Sequence, residues 1–185
     1  QGVMGRYYAA AHGESADIAQ ALDEFYAPRF AGDAIARSKV GQVLAVAERL
    51  DTLAGIFAVG LKPSGNKDPF ALRRAALGLA RTLIEGGLDI DLPAQLAEAL
   101  ALLPDSALAA GLPKGKDGKI AALNPGARRA ELAHDLVEFI LDRLRAYYTE
   151  QGIAAEAFEA VRALAPPSLL DFDRRLRAVV EFARL

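Results

Sequence analysis

Arg73, Arg74 and Arg81 put three guanidinium groups on one helix-forming segment, and Lys62 and Lys67 add two ammonium groups in the loop ahead of it. Residues 74 and 81 are two turns apart and share a face, whereas 73 lies roughly 100° from 74 around the axis. Guanidinium forks at that spacing suit successive phosphates, and the N-terminus of the helix adds its dipole. The same cations also fit an ion-pair set with Asp68, Glu85 or Asp51 that locks helices together. A second group, Arg143 and Arg145 beside Tyr147 and Tyr148, interleaves charge with rings. That combination binds unstacked bases. Its structural alternative has Tyr147 in the core, Tyr148 as a surface ring and Arg143 paired with Asp142 or Glu138. Arg174, Arg175 and Arg177 read as a solvated helix face.

Catalytic chemistry has no such footing. His12 and His134 are the two histidines, and neither has a second imidazole or a carboxylate pair at a helical metal spacing. No Ser-His-Asp or Cys-His set can be assembled, and the loop over 62–67 lacks the Gly, Lys and Ser/Thr order of a phosphate-binding P-loop. The sequence therefore assigns no catalytic residue, no cofactor site and no metal ligand.

Lys and Arg number 22 against 24 Asp and Glu, a net charge of −2. A protein that coats nucleic acid would be basic overall, so any RNA contact must come from a local patch. The 185 residues, 52% of them hydrophobic, can bury one good core or two small ones. No apolar run approaches the roughly 18 residues of a membrane span. The absence of cysteine excludes disulfides and thiolate metal sites. No signal-peptide pattern opens the chain. Gln1 is not an initiator and GVMGRYYAAA reads as a helix already under way, so the chain is expected to be part of something larger.

The elements that position these residues read as helix after helix, with no alternating strand. Ser15 caps a helix to about Tyr26, and Ser38 caps one whose Val43, Leu44, Ala47, Leu50, Leu53, Ala54 and Phe57 keep the spacing of a buried stripe. Asp68-Pro69 reads as a helix start, with Phe70 turned inward and Gly86-Gly87 as the stop. A short helix follows Pro93. Residues 104–126 scatter, and Lys114–Lys119 has the composition of a mobile exposed loop. A long helix is expected over 127–151, with Leu132, Leu136, Phe139, Ile140, Leu144 and Tyr147 facing the core. Two more follow over 155–163 and 168–185, separated by Pro166-Pro167.

Residues 51–78, DTLAGIFAVGLKPSGNKDPFALRRAALG, hold far more turn residues and charge than a buried helix pair needs. The segment resembles the beta subunit of bacterial glycyl-tRNA synthetase, which carries an (L/I)DTL-x-G-x-F run followed by a P-(S/T)-G-x-x-DPFALRR-x-A-x-G block. QGVMGRYY at 1–8, YAPRFAGD at 26–33, FILDRLRAY at 139–147 and DFDRR at 171–175 agree with that family in the same order, and the likeness weakens between about 93 and 127. Two departures stand out. Phe25 occupies a position where the family often has His, and Glu48-Arg49 replaces Asp-Lys before the Leu-Asp-Thr-Leu run. The first weakens any metal chemistry, and the second leaves room for a structural ion pair.

The resemblance implies an all-α chain: residues 1–61 as the tail of an HD-like helical domain, and residues 68–185 as a DALR-type anticodon-binding bundle with a loop near 104–126. It implies a cytoplasmic, tRNA-binding part of an aminoacyl-tRNA synthetase, with glycine tRNA and the alpha subunit of an alpha2-beta2 tetramer as partners and no membrane contact. ATP and magnesium are expected at the alpha subunit, with no cofactor in this chain. Lys62, Lys67, Arg73, Arg74, Arg81, Arg143, Arg145 and Tyr148 are the candidate RNA contacts. The competing readings are a metal-dependent HD-type phosphohydrolase and a helical subunit-docking module without RNA contact.

Overall fold

A computed structural model describes residues 2–30, 32–112 and 122–183, and the loop expected at Lys114–Lys119 lies outside them. The described residues form α1 (Gly2–Ala11), α2 (Ala16–Glu24), α3 (Lys39–Ala58), α4 (Leu72–Glu85), α5 (Leu92–Ala101), α6 (Asp105–Ala110), α7 (Pro125–Glu150), α8 (Ala155–Arg162) and α9 (Leu169–Phe182). Among them there is no strand beyond one isolated bridge, Ser64 to Lys67. The all-α expectation holds.

Side-chain caps start five of these helices. Ser15, Ser38, Asp91, Asn124 and Ser168 each accept a hydrogen bond from an amide in the first turn, satisfying a donor that the helix leaves free. The start of α4 differs from the sequence reading. Asp68 does cap it, accepting from the amides of Leu72 at 2.8 Å and Arg73 at 3.0 Å. The helix nevertheless begins at Leu72, because Ala71 sits at φ 54 and turns the chain before the first helical residue. Pro69 and Phe70 belong to that turn, so the Phe70 ring is exposed rather than inward. α6 is a further short helix within the stretch read as irregular.

α3 and α7 are the two central rods. α3 packs against α2, α4, α5, α6 and α7, and α7 against α3, α4, α5, α6 and α8, while α9 closes on α4 and α8. On α7 the buried residues are Leu132, Leu136, Ile140, Leu144 and Tyr148, a strict four-residue progression that winds slowly around the helix. One apolar core runs from Val46, Leu53 and Phe57 on α3 through Leu72, Leu79 and Leu83 on α4 to Leu176 on α9. It crosses the 61–67 segment without a gap, so that segment links two helices of one core.

The first half of α3 behaves differently. Val43 and Ala47, expected inside, face outward with Ile18 and Leu22 of α2 along a wholly apolar groove. The residues that turn inward there include Ala45, Val46 and Arg49. No helix among the described residues is long and apolar enough to cross a membrane.

Polar contacts fix how α2, α3 and α4 meet. Lys39 donates its Nζ to the carbonyl of Gly86 at 2.6 Å, joining the start of α3 to the end of α4. Glu24 accepts from the Ser38 amide at 2.9 Å, the Ser38 hydroxyl at 2.8 Å and the Gln20 amide at 2.9 Å. Burial opposes the charge on Glu24, but the bonds from Ser38 and Gln20 outweigh it and hold the carboxyl below its usual 4.5. A carboxylate with a depressed native pKa stabilises the fold above its unfolded value, and that contribution is lost as pH falls through the native one. Glu24→Gln should lower the melting temperature at neutral pH and flatten the decline in stability below pH 4.5. Melting curves over an acid pH series check this; a parallel acid limb in the variant would contradict it.

Candidate nucleic-acid interface

The site is built around a buried cation. Arg49 on α3 is 5% exposed, and its guanidinium donates to four carbonyls. Nη1 reaches Phe25 at 2.9 Å and Ala45 at 3.0 Å, and Nη2 reaches Tyr26 at 3.1 Å and Ala27 at 2.9 Å. Burial pushes the pKa of Arg49 down from its ordinary value, with Glu48 acting in the opposite sense. An arginine starts so far above neutrality that the charge persists. The ion pair allowed by Glu48-Arg49 is not what forms: Glu48 accepts from the Thr52 hydroxyl at 3.2 Å, and the Arg49 guanidinium is engaged by backbone.

By holding three consecutive carbonyls, Arg49 fixes the chain after α2 as a wall beside α4. Pro28 is buried in that wall, while Tyr26 and Phe30 present exposed rings. Phe25 is buried at 4% exposure, and its ring stacks on that of Tyr26 with the centres 4.2 Å apart. Gly78 lets α4 come close enough. A Cβ there would stand 2.7 Å from Arg49 Nε, and the guanidinium beyond it is held by the carbonyl bonds of Nη1 and Nη2.

Between this wall, α4 and α7 lies an open cleft of about 400 Å³, lined by Arg73, Arg74, Arg81 and Arg143 together with Pro28, Phe30, Tyr147 and Glu150. Arg73 donates to the carbonyl of Gly65 at 2.5 Å, which ties the 62–67 loop to the head of α4. Arg81 is nearly buried, pairs with Glu85 at 2.6 Å and lies 5.8 Å from the centre of the Tyr147 ring. The bond to Glu85 raises its pKa, against burial, and Tyr147 adds to the rise. Arg143 lies 5.9 Å from the centre of the Phe139 ring, and its Nε is buried with no acceptor. Arg74 is exposed and has no ion-pair partner among the described residues. The cleft thus combines anchored guanidiniums with one projecting guanidinium and two rings, groups that can hold a phosphate and stack on a base.

Four of the eight candidate RNA contacts therefore converge: Arg73, Arg74, Arg81 and Arg143. The other four do not. Lys62 pairs with Asp135 and lies 5.3 Å from the Phe57 ring centre, on a separate face with Glu138 and Asp142. Lys67 is exposed in the turn that its backbone closes with Ser64, away from the cleft lining. Arg145 points to the opposite side of α7 and pairs with Glu159 at 3.2 Å.

Tyr148 corrects the sequence reading most sharply. It is 1% exposed, and its hydroxyl donates to Asp173, so it offers no ring to a base. Burial, and then the Asp173 bond, push its phenol up. Tyr147 is the ring that reaches the cleft. The carboxylates proposed as partners of Arg143, Glu138 and Asp142, are held by Arg162 instead. In the third basic set Arg175 pairs with Asp171 and Arg177 with Asp173, both at 2.8 Å. Phe30 has no role in the sequence reading, although the Tyr26–Asp33 motif marks the segment that holds it, and Arg49 figures there only as a possible ion-pair member.

The described residues thus define a helical bundle with one cationic, ring-bearing cleft. The model of the family described as glycyl-tRNA synthetase beta subunit matches residues 1–163, and the chain belongs to that family. It is 56% identical over 187 residues to the glycine–tRNA ligase beta subunit of Xanthomonas campestris pv. campestris (strain B100). It is 45% identical over 205 residues to that of Xylella fastidiosa (strain M12), and 44% identical over 185 residues to that of Pseudomonas aeruginosa (strain LESB58). In each case the whole of this chain is covered, but it spans only about a quarter of the relative's length.

Gly78→Ala should force Arg49 from its carbonyls and destabilise the fold by about 1–3 kcal/mol, the usual cost of overpacking. Urea unfolding measures it; a change below about 0.5 kcal/mol, the range of ordinary surface substitutions, would mean that the contact with Arg49 yields freely.

Proposed function

We propose that this chain is a tRNA-binding part of a glycine–tRNA ligase beta subunit, supporting aminoacylation catalysed at the alpha subunit. The reading rests on one observation: four arginines from two helices line a single cleft with aromatic rings, in a chain whose net charge is −2. A locally basic surface on an otherwise acidic protein is what selective RNA contact requires. In this reading the partners are glycine tRNA and the alpha subunit, assembled as an alpha2-beta2 tetramer in the cytoplasm. ATP and magnesium act at the alpha subunit. Residues 68–185 serve as the anticodon-binding bundle, and residues 1–61 as the tail of the HD-like part, whose last helix, α3, shares the bundle's core. Family membership favours this over a metal-dependent phosphohydrolase.

The docking-module reading draws on a separate observation, the apolar groove between α2 and α3. It concerns the other face of α3, so both readings can apply to one protein.

The test is glycine tRNA affinity of the full-length alpha–beta enzyme across a salt series. Arg74→Ala and Arg143→Ala should each weaken binding and reduce the slope of log affinity against log salt by about 0.7–0.9, one released phosphate contact. Arg145→Ala, on the opposite side of α7, should leave both unchanged. Wild-type affinity and slope in the first two variants would remove the cleft from the RNA surface.

A further inference from the structure

The arginine cleft does not end at Pro28. A second cleft of about 380 Å³ continues past it, lined by Tyr26, Pro28, Arg29, Glu48, Thr52, Phe70 and Arg74 among others. Pro28 and Arg74 line both compartments. The two clefts therefore adjoin as halves of one groove, and Pro28 and Arg74 mark the waist between them.

The rings are distributed between the halves. Phe30, 64% exposed, and Tyr147 flank the first, while Phe70, 45% exposed, and Tyr26 flank the second. An exposed phenylalanine has no hydrogen bond to offer, and burying two of them in the core would be favourable by the ordinary hydrophobic effect. Instead, the turn before α4 and the wall clamped by Arg49 each hold one at a groove rim. Each compartment falls within the roughly 300–1,000 Å³ of small-ligand sites, the scale of a single nucleotide. A ring can stack only on a base that has left its own helical stack.

Resting on the reading that this cleft contacts RNA, we propose that the groove takes two consecutive unpaired nucleotides. The phosphate between them lies on Arg74. One base stacks against Phe30 in the first compartment and the next against Phe70 in the second. Arg143 and Arg73 supply flanking charge along the strand. The ligand class is thus single-stranded RNA, and a paired stem is excluded because its bases present no free face to either ring.

The experiment uses the full-length alpha–beta enzyme with labelled glycine tRNA, displaced by a short unpaired RNA oligonucleotide or by a blunt RNA duplex of equal length. The unpaired competitor should displace the tRNA from this site and the duplex should not. Phe30→Ala and Phe70→Ala, both at exposed positions, should each weaken binding of the unpaired oligonucleotide about 5- to 150-fold, the effect of one lost base stack, with an unchanged salt slope. Phe70→Tyr should retain binding, because the ring face is kept. Arg74→Ala should instead reduce the slope.

Two contrary results are distinguishable. If the arginine variants weaken tRNA binding while the phenylalanine variants do not, and duplex competes as well as single strand, the groove follows backbone only; the two-nucleotide assignment falls and the proposed function stands. If neither arginine nor phenylalanine variants alter tRNA binding, both fall together.

Discussion

A single buried guanidinium holds the site together. Taking a charged group out of water is costly unless its hydrogen-bonding capacity is met, and Arg49 meets it with four backbone carbonyls rather than a carboxylate. Three of those carbonyls belong to consecutive residues after α2, so one side chain determines the path of the whole Phe25–Ala27 corner. The fourth belongs to Ala45, one turn earlier on its own helix, which fixes where the guanidinium sits along α3. Gly78 then permits α4 to close on it. Removing the side chain would leave several carbonyls without a donor, each costing about 1–3 kcal/mol if kept from water. A lysine offers one ammonium and no planar fork, so it cannot span the same set.

Other arginines show how cations are divided between structure and surface. Arg129 binds the carbonyls of Leu100 and Leu103 and pairs with Asp105, closing α7 on the end of α5 and the start of α6. Arg162 gathers Glu138, Asp142 and Glu159, joining α8 to α7. These groups are neutralised where they stand. In the cleft Arg81 is likewise paired, with Glu85, and Glu150 lies in the lining, but Arg73 is anchored on a neutral carbonyl, Arg143 lies over a ring, and Arg74 projects without an ion-pair partner among the described residues. That arrangement makes a positive surface on a chain of net charge −2.

Local signals were legible where one residue settles the geometry. Ser15, Ser38 and Ser168 start helices because a side-chain oxygen at that position satisfies an end amide whatever the tertiary context. The 51–78 motif likewise marked the start of the helix that carries three of the four cleft arginines. What depended on helix rotation was not legible. Tyr147 and Tyr148 are neighbours, and choosing between them required following the four-residue drift from Leu132 to Leu144, which leads to 148. Phe70 was misjudged because the positive φ of Ala71 carries no sequence signature. Val43 and Ala47 fit an amphipathic stripe, but α3 meets neighbours on several sides and turns Arg49 inward instead. The convergence of α4, α7 and the Pro28 wall is a long-range fact that no local pattern encodes.

Amide hydrogen exchange of the full-length alpha–beta enzyme, with and without glycine tRNA, tests the central claim most directly. An RNA-contacting groove prebuilt by Arg49 predicts slowed exchange with tRNA in peptides covering residues 25–30, 68–81 and 139–150, with little change in α8. Saturating tRNA that leaves those three segments unaltered while protecting others would contradict it.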